Sequence, residues 1–497
     1  MSNGISTAIG SGRLASVSGY EIQKGSFGSV SPNLPQNILV IGAPGSDSVT
    51  KNKTKIESAE QAAEIYGRGS YMHRAFKKLY PTSSDILQGI PTYAICPEMT
   101  ASSSQVKTVF LTGTATKDFV ITARLNEESQ FDGVSLSLRV KKGQDQGEVV
   151  ANFKQLFASA IDLPATISDT PAPNGMIFTG RSVGITSYLA LSFEFSESST
   201  GISLALLHTS SPTGTASLSD LQKTQIGSDW HTIVVTQFTE LASVLTEMNG
   251  NPENKQGNHT PYDFKPFAVF IGTSSTTESV NNYGIQYPNE STICICPQPG
   301  GPNATEIAAK FAAVAAPLFQ ESPHLDISGK NTGQSEFLEG TDYYQSSYAN
   351  RDTSVKTGAS TSIWIDEAWR IEDFVTSYNP QGEKPFQFSY LRNLMIDWNI
   401  KYGYDALEKL YVRNHVIIKS GQSVSASKTV SPEQWKAILY GYWDELAQRA
   451  LITEPEFSKA GTFVEVDAAN PNRFNTLARY KRSGFARIES TTVQTGF

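Results

Sequence analysis

Apolar positions change period along this chain, and each change marks an element. Asn37–Gly42 (NILVIG) is short and wholly apolar, the pattern of a strand buried on both faces of a parallel or mixed sheet. Ser58 with Gln61 forms a capping box that opens a helix through Ala62, Ala63 and Tyr66. A second helical piece, Ser70–Tyr80, stops at Pro81, and an apolar strand follows at Thr92–Cys96. This β-α-β order predicts a layered α/β domain. From about Gln105 to Leu206 the pattern shifts to strands at Val106–Leu111, Phe119–Leu125, Val134–Val140, Ile177–Thr179 and Tyr188–Phe195, with one helix at Glu148–Ile161. The α/β rhythm then resumes with strands at Thr232–Val235, Phe267–Gly272 and Thr292–Cys296. Thr239 caps a helix carrying Leu241, Val244, Leu245 and Met248, and Asn303 with Glu306 forms a capping box for an alanine-rich helix ending before Pro317. The β-rich stretch therefore reads as an insertion into the α/β domain.

Residues 318–360 are polar and loop-like. Beyond them, Ile363, Ile365, Trp369 and Ile371 fall on odd positions, as one half-buried strand requires. After the turn signal Asn379-Pro380-Gln381-Gly382, the apolar steps become three and four at Phe388, Leu391, Met395, Trp398 and Tyr402. That stripe predicts a helix from Phe386 to Leu410, followed by a strand at Val416–Lys419. Ser431-Pro432-Glu433-Gln434 opens the last helix, with Trp435, Ile438, Leu439, Tyr442 and Leu446 on one face. The ends differ from all of this. Ile5, Ile9, Leu14 and Val17 near the start, and Phe485, Ile488 and Val493 near the finish, follow no period among their polar neighbours. Both ends read as unpartnered arms that cannot pack alone.

The expected fold class is thus α/β (α+β) and multidomain. It comprises an N-terminal arm (1–35), a discontinuous α/β core (36–104 and 207–317), an inserted β-rich outer domain (105–206), a linker (318–360), a C-terminal α/β domain (361–480) and a C-terminal arm (481–497). A length of 497 residues agrees with several cores rather than one. Charged residues make up only 18% of the chain, leaving a neutral polar surface that tolerates contact with copies of itself. A net charge of -8 counts against a dedicated nucleic-acid binder. The chain has no apolar run of bilayer-spanning length and no signal-peptide pattern, and its three cysteines are too few for a disulfide framework. A reducing compartment is expected.

Chemistry is sparse. Ile41-Gly42-Ala43-Pro44-Gly45 and Ile271-Gly272-Thr273 pair a strand with glycine, but neither carries the residues of a phosphate or dinucleotide loop, and turn geometry is the simpler reading. Cys96, Cys294 and Cys296 sit at strand ends without metal-ligand spacing and read as core thiols. Asp366, Glu367, Glu372 and Asp373 cluster beside Arg370, where an ion-paired surface is a better reading than acid/base machinery. No catalytic, metal or cofactor residue is assigned.

Three segments, in order, resemble the contractile tail sheath proteins of bacteriophages, notably the Mu-like type. They are NILVIGAPG with the following helix, its Tyr66-Gly67-Arg68-Gly69-Ser70 turn and PTYAICP; the inserted stretch from LTGTAT (Leu111–Thr116) to MIFTGRSVGITS (Met176–Ser187); and the strand ending at Ser377-Tyr378 before a long helix. The likeness runs from about residue 36 to 480. It implies a virion protein, assembled in the host cytoplasm, that forms stacked hexameric rings around a tail tube and contracts to drive the tube through the host envelope. It implies partners in other copies of the chain, the tail tube protein, and baseplate and tail terminator proteins, with no nucleic acid, membrane insertion or cofactor. It also implies terminal arms that add strands to a neighbour's sheet, through Ile5, Ile9, Leu14 and Val17 at one end and Phe485, Ile488 and Val493 at the other. Arg392, Lys401, Asp405 and Lys409, on the polar side of the long helix, are candidates to face the tube. A multidomain α/β enzyme whose β-rich insert binds substrate is the alternative.

Overall fold

A computed structural model describes residues 32–43, 45, 52–80, 87, 89–217, 226, 229–238, 241–250, 255–274, 293–299, 301, 303–334, 347–366, 368–378 and 388–496. Several expectations lie outside these residues: Ile5, Ile9, Leu14 and Val17 of the N-terminal arm, the Thr239 cap, Glu367, the turn at 379–382 and the helix start at Phe386. The fold is mixed α/β and multidomain. Its packing divides into two units, one of residues 33–402 with 482–497 and one centred on 403–481.

The larger unit is built on a six-stranded sheet. In chain order its elements are β1 (Ile38–Ile41), β2 (Thr54–Ile56), α1 (Ala59–Tyr66), α2 (Tyr71–Leu79) and β3 (Thr92–Ile95), followed after a long excursion by β11, α4, β12, β13 and α5. β11 is Ile233–Thr236, α4 Ala242–Asn249, β12 Ala268–Thr273, β13 Ile293–Pro297 and α5 Ala304–Glu321. The strand order is β13-β12-β11-β1-β3-β2, parallel except for β2 against β3. β1, β11, β12 and β13 are buried at every position, which is why they read as unbroken apolar runs. Ile38 and Val40 face α1, α2 and α5, while Leu39 and Ile41 face the α4 side with Leu245 and Phe267. Each fully buried Ile, Leu, Val or Phe in these layers contributes roughly 1.5–3 kcal/mol.

Helix boundaries follow the caps, with two departures. Ser58 accepts the Gln61 amide, but the Gln61 side chain accepts from Glu57 rather than closing a box on Ser58. Asn303 caps the Thr305 amide, but Glu306 turns into the protein interior instead of back to Asn303. α5 also runs through Pro317, the residue expected to follow its end. Proline removes one helical donor there, yet Phe319 continues the buried face, so packing carries the helix a further turn.

Between β3 and β11 lies a body with its own hydrophobic core. One sheet orders β7 (Ala165–Asp169), β8 (Gly175–Val183), β4 (Ser104–Gly113) and β10 (Ile202–Ser210), all antiparallel. A second orders β9 (Leu191–Phe195), β5 (Phe119–Leu125) and β6 (Ser137–Val140). α3 (Gln146–Ser159) packs Phe153 and Phe157 into this core, with the Phe157 and Phe178 rings 5.4 Å apart edge to face. Asp145 and Glu148 form its capping box.

The polar stretch 318–360 holds more structure than its composition suggests: the end of α5, β14 (Asn331–Gln334) and α6 (Tyr348–Thr357), the last capped by Ser347 and closed by Gly358 at φ 94°. The single odd-position strand expected at Ile363–Ile371 is a hairpin, β15 (Thr361–Ile365) and β16 (Ala368–Asp373), turning at Asp366 with φ 53°. Ile365 pairs with Ala368 and Trp364 with Trp369, so crossing the turn reverses parity. Trp364 and Trp369 share a face with rings 5.6 Å apart, while Ile365 is exposed.

α7 (Leu391–Tyr411) begins later than Phe386. Its residues Leu391, Met395 and Trp398, with Ile371 and Phe374, join the core under the parallel sheet. The packing therefore divides near Gly403 instead of at 361, because the apolar face of α7 is completed by the sheet's own core.

In the 403–481 unit, α8 (Pro432–Gln448) buries Trp435, Leu439, Tyr442, Trp443 and Leu446. Its capping box is reciprocal, Ser431 accepting from Gln434 at 3.2 Å and Gln434 from Ser431 at 2.8 Å. The Trp443 indole donates to Thr462 at 2.9 Å. After α9 (Pro455–Ala460), β17 (Phe463–Val466) and β18 (Phe474–Leu477) form a two-stranded ladder.

Candidate functional site

The C-terminal segment is expected to be an unpartnered arm from 481, yet residues 482–487 are seated on the larger unit. Arg392, on α7, is buried rather than facing solvent or a tube, at 4% exposure. Its Nε donates to the His324 carbonyl at 2.6 Å and its Nη1 to the Ser483 carbonyl at 2.8 Å, while its guanidinium covers the Phe485 ring. Further along α7, Asp397 receives Arg482 through Nε at 2.7 Å and Nη2 at 2.5 Å. α7 thus holds the segment at two points, Arg392 and Asp397.

Arg487 is the last seated residue. Its guanidinium donates to Asp326 at 2.7 Å, donates to Asp373 at the end of β16, and lies 4.5 Å from the Tyr390 ring centroid. Burial alone would lower the Arg487 pKa, but the two carboxylates outweigh it and hold the group more firmly protonated. Asp326 is itself buried and also accepts from Ser328. Beyond this point the character changes. Ile488 is 89% exposed and Val493 76%, and residues 488–496 pair with no described strand.

Beside Arg487 opens a cleft of about 600 Å³ between α6 and residues 485–488, floored by Glu372 and Asp373. Its charges are satisfied within it: Arg351 donates to Glu372 at 2.6 Å and Lys356 to Asp352 at 2.5 Å. The acidic cluster does not converge. Asp366 pairs with Arg370, Glu372 with Arg351 and Asp373 with Arg487. The remaining tube-facing candidates are separate from this seat. Lys401 lies over the Phe264 ring at 5.5 Å, Asp405 is half-buried and Lys409 is exposed.

A second charged constellation, not anticipated from the sequence, joins the β-rich body to the α/β sheet. Arg74 of α2 contacts Glu306 of α5 and Glu128 of the β-rich body, all three buried. Lys78 reaches Glu128 at 3.1 Å, and Asp162 takes Arg68 at 3.0 Å and Lys77 at 2.5 Å. Burial pushes the Glu128 carboxyl up, but Arg74 and Lys78 overcome this and hold it at about 2. The only local signal is Arg74 among Tyr71, Met72, Ala75 and Phe76 of α2, all buried in the fold, where a buried charge demands a partner.

The glycines singled out as loop candidates serve packing. A Cβ on Gly272 would stand 1.9 Å from the Ala304 carbonyl, so only glycine lets β12 meet the start of α5. Gly67 and Gly69, at φ 94° and 76°, turn the chain from α1 into α2. Cys96, Cys294 and Cys296 are buried thiols of the core. Among the described residues, no group of three or more His, Cys, Asp or Glu is placed to hold a metal ion.

Neither a protein-family model nor a curated protein matches the chain. Among solved structures it is similar to a sheath tail protein from Desulfitobacterium hafniense, with a TM-score of 0.45 and 11% identity, over 93% of this chain and 100% of that one.

Proposed function

We propose that this chain is a structural subunit of a contractile tail sheath, one that polymerises through its C-terminal arm. The observation that carries the reading is the contrast at Arg487: a tightly seated root followed by a segment that joins no described helix or strand and whose Ile488 and Val493 are exposed. Unpaired extended backbone gains most by joining the edge of another sheet. The β17–β18 ladder is a matching acceptor. It has only two strands, and the directly opposed Phe463 and Leu477 are 56% and 52% exposed. Such a hairpin is marginal alone and is completed by a third strand. An arm from a second copy laid against it would cover both residues.

The order of the three resembling segments supports placing this assembly in a phage tail, as hexameric rings stacked around a tube. In that setting contraction is a change between two lattices, and the arms keep copies linked while the bodies move. Lys401, Asp405 and Lys409 remain the proposed tube-facing charges, without the buried Arg392. The role is structural, and no cofactor is invoked. Sedimentation of the purified chain over a concentration series tests the reading: growth into large polymers supports it, and a monomer at all concentrations contradicts it.

A further inference from the structure

We infer that Arg487 is the tether that fixes where the arm begins, so that the segment donated to a second copy is residues 488–497 and not the whole of 481–497. This rests on the strand-donating reading above and deepens it. On the near side of Arg487, residues 482–485 are held by side chains of the chain's own larger unit: Arg482 by Asp397, the Ser483 carbonyl by Arg392, and Phe485 under the Arg392 guanidinium. Arg487 closes the set with two carboxylates and an aromatic face. Removing it would leave Asp326, only 3% exposed, without its charged partner, so the seat holds its occupant. On the far side, the exposure of Ile488 marks the release point.

The remaining segment, IESTTVQTGF, suits a strand donor. It is rich in β-branched residues, carries one charge and contains no proline, so every amide can enter a ladder. Its ten residues (488 to 497) extend roughly 33 Å, ample for the short strands β17 and β18. Its partner is therefore a second copy of this chain, offering a sheet edge. Tension on the donated strand passes first to Arg487 and from there to Asp326 and Asp373.

Nitroxide labels on Ala486→Cys and Val493→Cys test the tether in the monomeric full-length chain, whose native cysteines are buried. The label at 486 is expected to be immobilised and the label at 493 mobile. Arg487→Ala should mobilise 486 and leave 493 unchanged, with circular dichroism confirming the fold, and Asp326→Asn should act in the same direction. A mobile label at 486 in the otherwise native chain, or no response to either substitution, overturns the tether. The boundary is read by titrating a chain truncated after Arg487 with synthetic peptides of residues 488–497 and 481–497. Equal binding of both supports the boundary; binding of the longer peptide alone overturns it. Binding of neither overturns strand donation itself, while the label result still decides the tether.

Discussion

The guanidinium of Arg74 grips the Glu306 carboxylate side-on, with N–H bonds of 2.7 and 2.9 Å between residues 232 positions apart in sequence. Glu128 meets the same guanidinium from the β-rich body, so one buried cation ties three separate elements together. Arg74→Ala would leave two buried carboxylates with only Lys78 beside them and is expected to cost about 3–5 kcal/mol. Urea denaturation of the variant, with Glu306→Gln and the double variant completing a cycle, measures it. Additive losses would show that the two residues are not coupled.

Acid should loosen the same junction in two stages. His73 accepts the Gly69 amide on Nδ1 and is buried amid Arg68, Arg74, Lys77 and Asp162. Burial, with the three cations adding to it and Asp162 opposing, lowers its pKa from 6.5 to about 4. A depressed folded-state value means that stability is intact above pH 6.5 and lost as pH falls through about 4. His231, also held at about 4 by burial and by Lys53, adds to this stage. Glu128 contributes above 4.5 and is lost toward about 2. Denaturation midpoints across this range should therefore fall in the first window, and His73→Gln should flatten that fall. An unchanged profile in the variant would contradict the assignment.

Gly272→Ala reverses the usual sign of a glycine-to-alanine change. Relief of chain entropy normally stabilises by about 0.4–1 kcal/mol. Here the new Cβ would lie 1.9 Å from the Ala304 carbonyl, so β12 and α5 must separate. A loss of roughly 1–3 kcal/mol is expected by thermal unfolding; a rise in melting temperature would show that the contact yields freely.

Ser431→Ala should weaken the 403–481 unit by about 1 kcal/mol, since it removes one half of a reciprocal cap at the start of α8. Proteolysis within α8 monitored by mass spectrometry measures the opening. Unchanged cleavage would mean that burial of Trp435 and Trp443 alone holds the helix end.

What could be read from the sequence follows physical rules of range. β1 and β12 are evident because a strand buried on both faces leaves no polar residue behind, and α8 because its cap is written in four consecutive residues. α6 was missed because it buries little, so no apolar stripe announces it. The Ile363–Ile371 hairpin was hidden because a two-residue turn preserves odd spacing along the chain while reversing the face. Glu306 looked like a cap because only the folded chain brings Arg74 beside it. The seat of the C-terminal segment was illegible for the same reason: Arg487, Asp326 and Asp373 carry no joint signal until α7 and β16 are in place.

The central claim is self-assembly through the C-terminal arm. Electron microscopy of the full-length chain beside a version ending at Arg487 tests it most directly. The expected result is regular, striated tubes from the full chain and folded monomers from the shortened one, whose tether is intact. Equivalent tubes from both, or only dispersed particles from the full chain, would contradict it.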